Sequence, residues 1–360
     1  MKRIYSLIQE WKEKNLLLPI WMEDRKIRLV DQHLLPLEYE VYTLSEVSAL
    51  AQAIRSMAIR GSGAIGTAGA YGMLLAASNA NGDKNKVIDA AKELKGTRPT
   101  AINLMKTVDE LLKATEQVSG NDLEAVMEEK VCDILERQLS YEMRLGEFGA
   151  ECIEDGDTIL THCHSGALAG SGYGGRALSV IRKAFEQGKK IHVYTSETRP
   201  YLQGARITAY ELEKFGIPHT LITDGMSGYL MRLGKIQKVV VGSDRVAGNG
   251  DLINKVGTYM HALAAKENGI PFYAATSSHT IDFELEQGMD IKVEFRPERE
   301  VTHLRGHLIT VPGTHALYPS FDVTPNELIA GIITEYGVIR PEYKINLHHI
   351  NSEEEVMICH

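Results

Sequence analysis

The sequence predicts an α/β protein in which a mainly helical N-terminal domain precedes a C-terminal domain built on a doubly wound, Rossmann-like parallel sheet. A chain of 360 residues is long enough for two domains that each bury a core. The first third carries apolar residues at helical spacing, whereas from about residue 155 short apolar runs alternate with helical patterns. We therefore predict domains over 1–150 and 151–345, followed by a polar tail over 346–360.

The N-terminal part shows the periodicity of packed helices. Apolar residues within 47–54 recur at the i, i+3, i+4, i+7 spacing of one helix face, which predicts a helix from Ser45 to the region of Arg60 and Gly61. The many small residues of 64–77 predict a helix that packs closely against a neighbour. A further long helical pattern covers roughly 123–150.

The second part of the chain contains five short apolar runs that we interpret as strands. Helical patterns separate these runs, and such alternation is typical of a parallel sheet with helices on both faces. The strands are expected over 158–162, 190–195, 219–223, 238–242 and 271–276, and the helices near 174–187, 203–215, 226–233 and 254–267.

Composition and charge exclude several classes of function. The formal charge of −9 argues against bulk nucleic-acid binding, although a local cluster of cationic side chains can still bind a small anion. The N-terminus lacks the apolar core of a secretory signal, and no stretch approaches the ~18 apolar residues that span a bilayer. The four scattered cysteines include no CxxC pair and fit free thiols. We therefore expect a cytoplasmic protein.

Polar residues follow each predicted strand. In a doubly wound sheet, ligands bind beyond the carboxyl ends of the strands, so these residues are expected to converge on one crevice. Cys163 follows the first strand, Arg199 the second, Asp224 the third, Asp244 the fourth and Ser277 the fifth.

Cys163 has three possible interpretations from the residues alone. It could be a buried structural thiol, or a reactive thiol placed between His162 and His164 before a glycine-rich turn. A metal site made by the three adjacent residues is the weakest interpretation, because successive strand residues point to opposite faces.

The glycines after Cys163 also resemble a dinucleotide-binding fingerprint. Gly170, Gly172 and Gly175 match G-x-G-x-x-G, and Glu197 follows about 20 residues later. However, the match does not begin directly after the strand. A turn in which the backbone approaches a small ligand or another helix therefore remains the simpler alternative to NAD binding.

Several cationic residues are candidates for binding phosphate. Lys255 is expected near the start of a helix, where free backbone N–H groups favour anions. Arg60 and Arg98 could add bidentate contacts. Asp244 could act as an acid or could simply cap the element that follows it.

Taken together, these segments resemble the methylthioribose-1-phosphate isomerase family. That family shares a superfamily with ribose-1,5-bisphosphate isomerases and with regulatory subunits of a eukaryotic translation-initiation exchange factor. The motifs that carry the resemblance are AIRGSGAIGTAGAYG (58–72), TRPTAINL (97–104), THCHSGALA (161–169), ETRPYLQGARITAYEL (197–212), LITDGM (221–226) and GSDRVAGNGDLINKVGTY (242–259).

The resemblance implies an enzyme that converts an aldose 1-phosphate into a ketose 1-phosphate. It implies no metal and no organic cofactor, a small sugar phosphate as substrate and a homodimer as the assembly. The family's catalytic cysteine and aspartate correspond to Cys163 and Asp244. Its substrate and phosphate contacts correspond to Arg60, Gly61, Ser62, Arg98, Gln203, Asn254 and Lys255.

The sequence also departs from the usual methylthioribose pattern. Gly63 and the pair His164–Ser165 are closer to the ribose-1,5-bisphosphate isomerases. 5-Methylthioribose 1-phosphate is the expected substrate, with 5-deoxyribose 1-phosphate and ribose 1,5-bisphosphate as alternatives. A non-catalytic regulatory homologue is not expected to keep both Cys163 and Asp244.

Overall fold

A computed structural model describes residues 1–98, 101–116 and 118–348. Most of the predicted tail, and Pro99 and Thr100 of the TRPTAINL motif, lie outside these residues. The contacts between residues divide the chain into two units. The first unit contains Met1–Met143 and also Gly166–Gly175, and the second contains Arg144–Ser165 and the chain from Arg176 onward. The division into domains over 1–150 and 151–345 stays a prediction.

The first unit is mainly helical, as predicted. A three-stranded antiparallel sheet accompanies the helices, and its strands are too short to have been recognised from periodicity. The helices are α1 (Lys2–Glu13), α2 (Val47–Ser56), α3 (Ser62–Asn79), α4 (Lys84–Lys95), α5 (Ile102–Glu116) and α6 (Leu123–Ala150), and the strands are β1 (Ile20–Glu23), β2 (Lys26–Val30) and β3 (Val41–Leu44). The part of α6 after Met143 belongs to the second unit.

The small residues of α3 allow its neighbours to approach closely. A Cβ on Gly69 would lie 2.7 Å from Leu104 Cδ1, so the glycine lets α5 pack closely against α3. α2 ends earlier than predicted, because Met57 adopts a left-handed conformation directly after it. Arg60 and Gly61 therefore lead into α3 instead of ending α2.

The second unit contains the predicted doubly wound sheet. Its strand order is β6-β5-β4-β7-β10-β15-β16, and every pair is parallel except β15 with β16. The chain builds one half of the sheet outward from β4 and then returns to build the other half from β7. The strands of this unit are β4 (Thr158–Thr161), β5 (His192–Ser196), β6 (His219–Ile222), β7 (Lys238–Val241), β8 (Arg245–Ala247), β9 (Leu252–Lys255), β10 (Phe272–Ala275), β11 (Ile281–Asp282), β12 (His303–Leu304), β13 (His307–Leu308), β14 (Phe321–Thr324), β15 (Gly331–Thr334) and β16 (Gly337–Ile339).

Helices cover both faces of this sheet. Ile159 and Val240 belong to an apolar cluster on one face, and Leu160 and Val239 belong to a cluster on the other. This alternation of neighbouring residues is what a strand buried on both faces requires. The helices are α7 (Ala177–Glu186), α8 (Ala209–Lys214), α9 (Ser227–Arg232), α10 (Thr258–Glu267), α11 (Arg299–Thr302) and α12 (Tyr343–Asn346).

Two predicted helices differ from the structure. The helix expected over 203–215 is a π turn over Gly204–Thr208 followed by α8. The helix expected over 254–267 begins only at Thr258, since Asn254 and Lys255 belong to β9. β9 lies in a small four-stranded sheet of order β11-β8-β9-β14, and its pairing with β8 and β14 keeps these residues extended.

In the described part of the chain, none of the helices combines the length and the apolarity that crossing a bilayer would need.

Candidate active site

The carboxyl ends of β4 and β7 form the switch point of the doubly wound sheet. These strands are neighbours, although the chain runs through β5 and β6 between them. Cys163 follows β4 and Asp244 follows β7. A Cβ on Gly242 would lie 2.5 Å from Ser165 Cβ, so the segments that follow the two strands are in close contact. Ligands of doubly wound sheets bind at such a point.

Cys163 is buried and is held by several hydrogen bonds. Its backbone N–H donates to Thr198 Oγ1 over 2.9 Å, and its carbonyl accepts from Thr208 Oγ1 over 2.8 Å. Gln203 Nε2 donates to the sulfur over 3.2 Å. The φ angle of Cys163 is 67°, a left-handed conformation that is sterically unfavourable for a residue with a Cβ.

The other strand ends also converge, as predicted. Asp224, which follows β6, accepts the backbone N–H groups of Thr198 and Arg199 over 2.8 and 2.7 Å. Ser243 Oγ, after β7, donates to Thr276 Oγ1 beside β10. Side chains thus connect the end of β5 to β6 and the end of β7 to β10.

His162 and His261 form a buried hydrogen-bonded pair beneath Cys163. His162 Nε2 lies 3.0 Å from the Val256 carbonyl, which can only accept, so this nitrogen carries the proton. His162 Nδ1 is therefore an acceptor, 3.2 Å from His261 Nε2 and 2.6 Å from Ser196 Oγ. Ser227 Oγ lies 2.8 Å from the remaining nitrogen of His261.

Both imidazoles favour the neutral state. Burial lowers the pKa of His162, and burial together with the neighbouring His162 lowers the pKa of His261 well below its usual value. Near the same strand ends, burial and the charge of Asp224 raise the pKa of Glu197.

His162, Asp224 and His261 also have the spacing of a possible metal site. Their ligand atoms lie within 4.8 Å of one another. The hydrogen bonds above already use the lone pairs of the imidazoles, and both oxygens of Asp224 accept backbone N–H groups. This set therefore fits a hydrogen-bonded network better than a metal centre.

His164 has different partners from His162, although residues two apart in an extended strand would share a face, because Cys163 between them adopts a left-handed conformation. Its Nε2 lies 2.7 Å from Glu211 Oε1, and both side chains are fully buried. The two histidines beside Cys163 therefore do not share one site, and the three adjacent residues have no common metal-binding geometry.

Asp244 lies in a much more open setting than Cys163. Its side chain is exposed, and its backbone N–H donates to the Ile253 carbonyl over 3.0 Å at the base of the β8–β9 hairpin. The sequence left Asp244 as a possible acid, and a general acid needs desolvation to hold its proton. The fold of the second unit does not supply that desolvation.

Asn254 and Lys255 occupy a strand instead of the start of a helix. Asn254 Nδ2 donates to Thr258 Oγ1 over 3.0 Å, and Lys255 Nζ donates to the Ser320 carbonyl over 2.6 Å. Gly257 directly precedes α10, and its N–H donates to Asp322 Oδ2 over 2.7 Å.

Asp322 thus occupies the helix terminus at which phosphate was expected. Its carboxylate also accepts the N–H of Tyr259. Burial raises the pKa of Asp322 to about 6. The protein itself therefore supplies the anion at the start of α10.

In the first unit, Arg60, Gly61 and Ser62 lie at the start of α3. Gly61 has a φ of 95°, and a Cβ there would lie 2.5 Å from Ala169 Cα, so both the conformation and the close approach require glycine. Ser62 Oγ accepts a hydrogen bond from Asn103 Nδ2 over 2.8 Å. Arg98 is half-buried shortly before α5.

The glycine-rich segment 166–175 is organised around a carboxylate. Glu142 is buried, and it accepts the backbone N–H groups of Ser171, Tyr173, Gly174 and Gly175. In a dinucleotide-binding loop such donors bind the pyrophosphate. Because Glu142 occupies them, the structure gives the NAD interpretation no support.

Sequence reasoning missed four side chains that the structure brings to these sites: Glu142, Thr208, Glu211 and His261. A charged residue beside apolar residues of a helix face would have signalled Glu142 and Glu211. Thr208 and His261 carry no such signal, because polar residues on helices and loops are usually solvated.

Comparison with known families gives a consistent result. The family model described as the Initiation factor 2 subunit family matches residues 58–341. The chain is 46% identical to methylthioribose-1-phosphate isomerase of Thermosipho africanus over 341 residues, which cover 92% of this chain and 97% of that protein. It is 43% identical to the protein of the same name from Petrotoga mobilis, over 96% of this chain and 99% of that one.

Two solved structures share the fold along nearly their whole length. The 5-methylthioribose 1-phosphate isomerase from Pyrococcus horikoshii has a TM-score of 0.90 and 35% identity, over 94% of this chain and 97% of that one. The translation initiation factor eIF-2B subunit delta from A. fulgidus has a TM-score of 0.87 and 39% identity, over 93% and 99%.

Proposed function

Because the chain belongs to the Initiation factor 2 subunit family and, within it, to the methylthioribose-1-phosphate isomerases, we propose that it converts 5-methylthioribose 1-phosphate into 5-methylthioribulose 1-phosphate. This reaction would place the protein in methionine salvage. The observation that carries the proposal is the presence of Cys163 and Asp244 at the ends of neighbouring parallel strands, at the switch point.

The reaction requires an acid and a group that handles a proton at C2. The phosphate on the anomeric oxygen prevents the sugar from opening as a free aldose does, so the ring oxygen must be protonated as its bond to C1 breaks. We assign that proton to Asp244, whose exposed carboxyl is desolvated when the sugar covers it. Hydrogen then moves from C2 to C1, which makes the reaction an intramolecular oxidation and reduction.

Cys163 serves the C2 side in either of two routes. It removes the C2 proton and gives an enediol-type phosphate, or it takes the hydroxyl proton while hydride shifts directly. Neither route requires a metal or an organic cofactor. Turnover in D2O separates them, since solvent deuterium at C1 of the product is expected for the enediol route and excludes a pure hydride shift.

The phosphate is assigned to the cationic and small residues that match the family pattern. The start of α3 presents backbone N–H groups without intrahelical partners, which suits a dianion. Contacts from the two arginines would orient the sugar and contribute binding energy to the transition state. The proposed substrate contacts are Arg60, Gly61, Ser62, Arg98, Gln203, Asn254 and Lys255.

The direct test is kcat/KM for the purified protein on three aldose 1-phosphates: 5-methylthioribose 1-phosphate, 5-deoxyribose 1-phosphate and ribose 1,5-bisphosphate. A preference of ~100-fold for the first, equivalent to about 2.7 kcal/mol, is expected. A preference for the bisphosphate would overturn the substrate assignment and favour Gly63 and His164 as guides.

A regulatory role is the second candidate, because one of the two similar structures is named as a translation initiation factor. The absence of turnover on all three sugars, from folded protein, would favour it. Turnover of any of them favours the enzyme.

We also propose a homodimer and a cytoplasmic location. α9 and α10 are in contact, since Ser227 Oγ bonds to His261, and together with β6 they expose many apolar side chains. A second copy would cover Leu221, Met226, Tyr229, Leu233, Tyr259, Met260 and Leu263. Light scattering should give twice the chain mass, and Tyr229→Glu with Leu233→Glu should give a monomer, whereas Val311→Glu should not.

The buried free thiols Cys132, Cys152 and Cys163 are consistent with a reducing compartment.

A further inference from the structure

The segment from Gln203 to Glu211 contacts the Cys163–His164 dipeptide at three points. Gln203 Nε2 donates to Cys163 Sγ over 3.2 Å, and Thr208 Oγ1 donates to the Cys163 carbonyl over 2.8 Å. Glu211 Oε1 lies 2.7 Å from His164 Nε2. All of these side chains are buried, so water does not compete for these hydrogen bonds.

A π turn makes these three contacts possible. Residues five apart on an α-helix are rotated by about 140° relative to each other, because each residue turns the helix by about 100°. Gln203 and Thr208 are five apart, but the turn Gly204–Thr208 closes with the Ala209 N–H donating to the Gly204 carbonyl, a bond of the i to i+5 type. One π turn therefore places both side chains on the face towards Cys163. Glu211, three residues further on, continues the same face in α8.

Gly204 allows this turn to lie against the end of β5. A Cβ on Gly204 would lie 1.8 Å from the Ser196 carbonyl oxygen and 2.9 Å from Thr198 Oγ1. Thr198 Oγ1 accepts the Cys163 N–H. The N–H, the carbonyl and the sulfur of Cys163 are thus all bonded to residues of 198–208, and these bonds hold its left-handed conformation in place.

We propose that the π turn Gly204–Thr208 positions Cys163 for proton transfer, with Thr208 as a positioning residue and Gln203 as the donor to its sulfur. The proposal rests on the proposed role of Cys163 in the isomerase reaction. It also refines the role of Gln203. Its Nε2 donates to the sulfur, whereas its buried Oε1 has no hydrogen-bond partner among the described residues. A sugar hydroxyl beside Cys163 is the donor that this oxygen requires.

The test compares two isosteric substitutions of buried threonines. Thr208→Val removes only the hydroxyl that holds the Cys163 carbonyl. Thr195→Val is the matched control, because Thr195 is equally buried and its hydroxyl has no hydrogen-bond partner in the part of the chain that the structure describes. Thr208→Ser restores the donor, and Thr208→Ala provides a second loss of the hydroxyl that does not depend on valine fitting the site.

Two readouts are measured for each folded variant. The first is kcat and KM on the preferred sugar phosphate, and the second is the rate of Cys163 alkylation by iodoacetamide without substrate, followed by mass spectrometry of its peptide. Thr208→Val and Thr208→Ala are expected to lower kcat at least 10-fold with KM changed less than 3-fold, and to change the alkylation rate at least 5-fold. Thr208→Ser and Thr195→Val are expected to stay within 2-fold in both readouts.

The outcomes separate this proposal from the proposed function. If Thr208→Val and Thr208→Ala keep both readouts within 2-fold while Cys163→Ser is inactive, the positioning role is wrong and the role of Cys163 stands. If Cys163→Ser is active but loss of the Thr208 hydroxyl still changes alkylation, the turn does position the thiol and the catalytic role of Cys163 is wrong. If Thr195→Val changes kcat and the alkylation rate as much as Thr208→Val does, the effect of Thr208→Val comes from altered packing and the proposal is wrong.

Discussion

The two strand ends that carry Cys163 and Asp244 differ in how far the protein itself determines their geometry. The end of β4 is buried, and hydrogen bonds hold the backbone and the sulfur of Cys163. The end of β7 leads into a short hairpin, and Asp244 is exposed. Cys163 is positioned in advance, whereas in the proposed reaction Asp244 would be desolvated only when substrate binds. The predictions below test this difference, from the largest expected effect to the smallest.

Substitution of either proposed catalytic residue, Cys163 or Asp244, should remove most of the activity. Cys163→Ser and Asp244→Asn are each expected to lower kcat roughly a thousand-fold, because each removes a proton-transfer group. Cys163→Ser should also leave the KM nearly unchanged, since the site at β4 is formed before substrate binds. Rapid assays of ketose formation measure both constants. Near-normal turnover in either variant would remove that residue from the mechanism.

A side chain at Gly204 should damage the β4 side of the site. Gly204→Ala places a Cβ against the Ser196 carbonyl, so the free energy of unfolding should fall by about 3 kcal/mol or the π turn should shift. Gly225→Ala is the matched control, because nothing lies within 4 Å of its added Cβ. Urea unfolding followed by circular dichroism measures the change. Equal stability of the two variants would contradict the close packing at the end of β5.

The buried imidazoles of His162 and His261, near the end of β4, should make the stability of the protein decrease at acid pH. Burial lowers the pKa of His162 and of His261, so the unfolded chain binds more protons than the folded one below the ordinary value of 6.5. Their contribution to stability is present above pH 6.5 and is lost as the pH falls. Each imidazole should contribute a slope of about 1.4 kcal/mol per pH unit.

His261→Gln tests this dependence, since the amide can still donate to His162 Nδ1. The slope of unfolding free energy against pH between 6.5 and 5 should decrease by about one proton equivalent, 1.4 kcal/mol per pH unit. His315→Gln, at an exposed position, is the control. An unchanged slope in the His261 variant would mean that the ring is already protonated in the folded chain.

The contribution of Asp322 to stability should show the opposite and weaker dependence on pH. Asp322 lies in β14, in the small sheet that also contains β8, the strand after β7. Burial raises its pKa to about 6, so its contribution to stability is greatest below the ordinary value of 3.8 and is lost as the pH rises through 6. Asp322→Asn should therefore gain stability relative to the unmodified chain, by about 1 to 2 kcal/mol between pH 4 and pH 7, because the partly exposed carboxyl is screened by solvent. The same urea series measures it, and a relative loss across that range would reverse the assigned pKa direction.

Two carboxylates of the protein occupy backbone donors that the sequence pattern suggested for an anion. Glu142 occupies the glycine loop and Asp322 occupies the start of α10. Both sites have the backbone donors that a phosphate would use. Which carboxylate reaches them depends on contacts between residues more than 25 positions apart, and no local pattern records such contacts.

The sequence by itself determined the class of fold, the five strands of the doubly wound sheet and the candidate pair Cys163 and Asp244. It could do so because alternation, helical spacing and strand-end motifs are local properties of the chain. Only the tertiary structure decided that β7 lies beside β4, that Asn254 and Lys255 belong to a strand, and that a π turn holds Cys163 in a left-handed conformation. These features depend on hydrogen bonds and packing between distant segments, which outweigh the weak preferences of the individual residues.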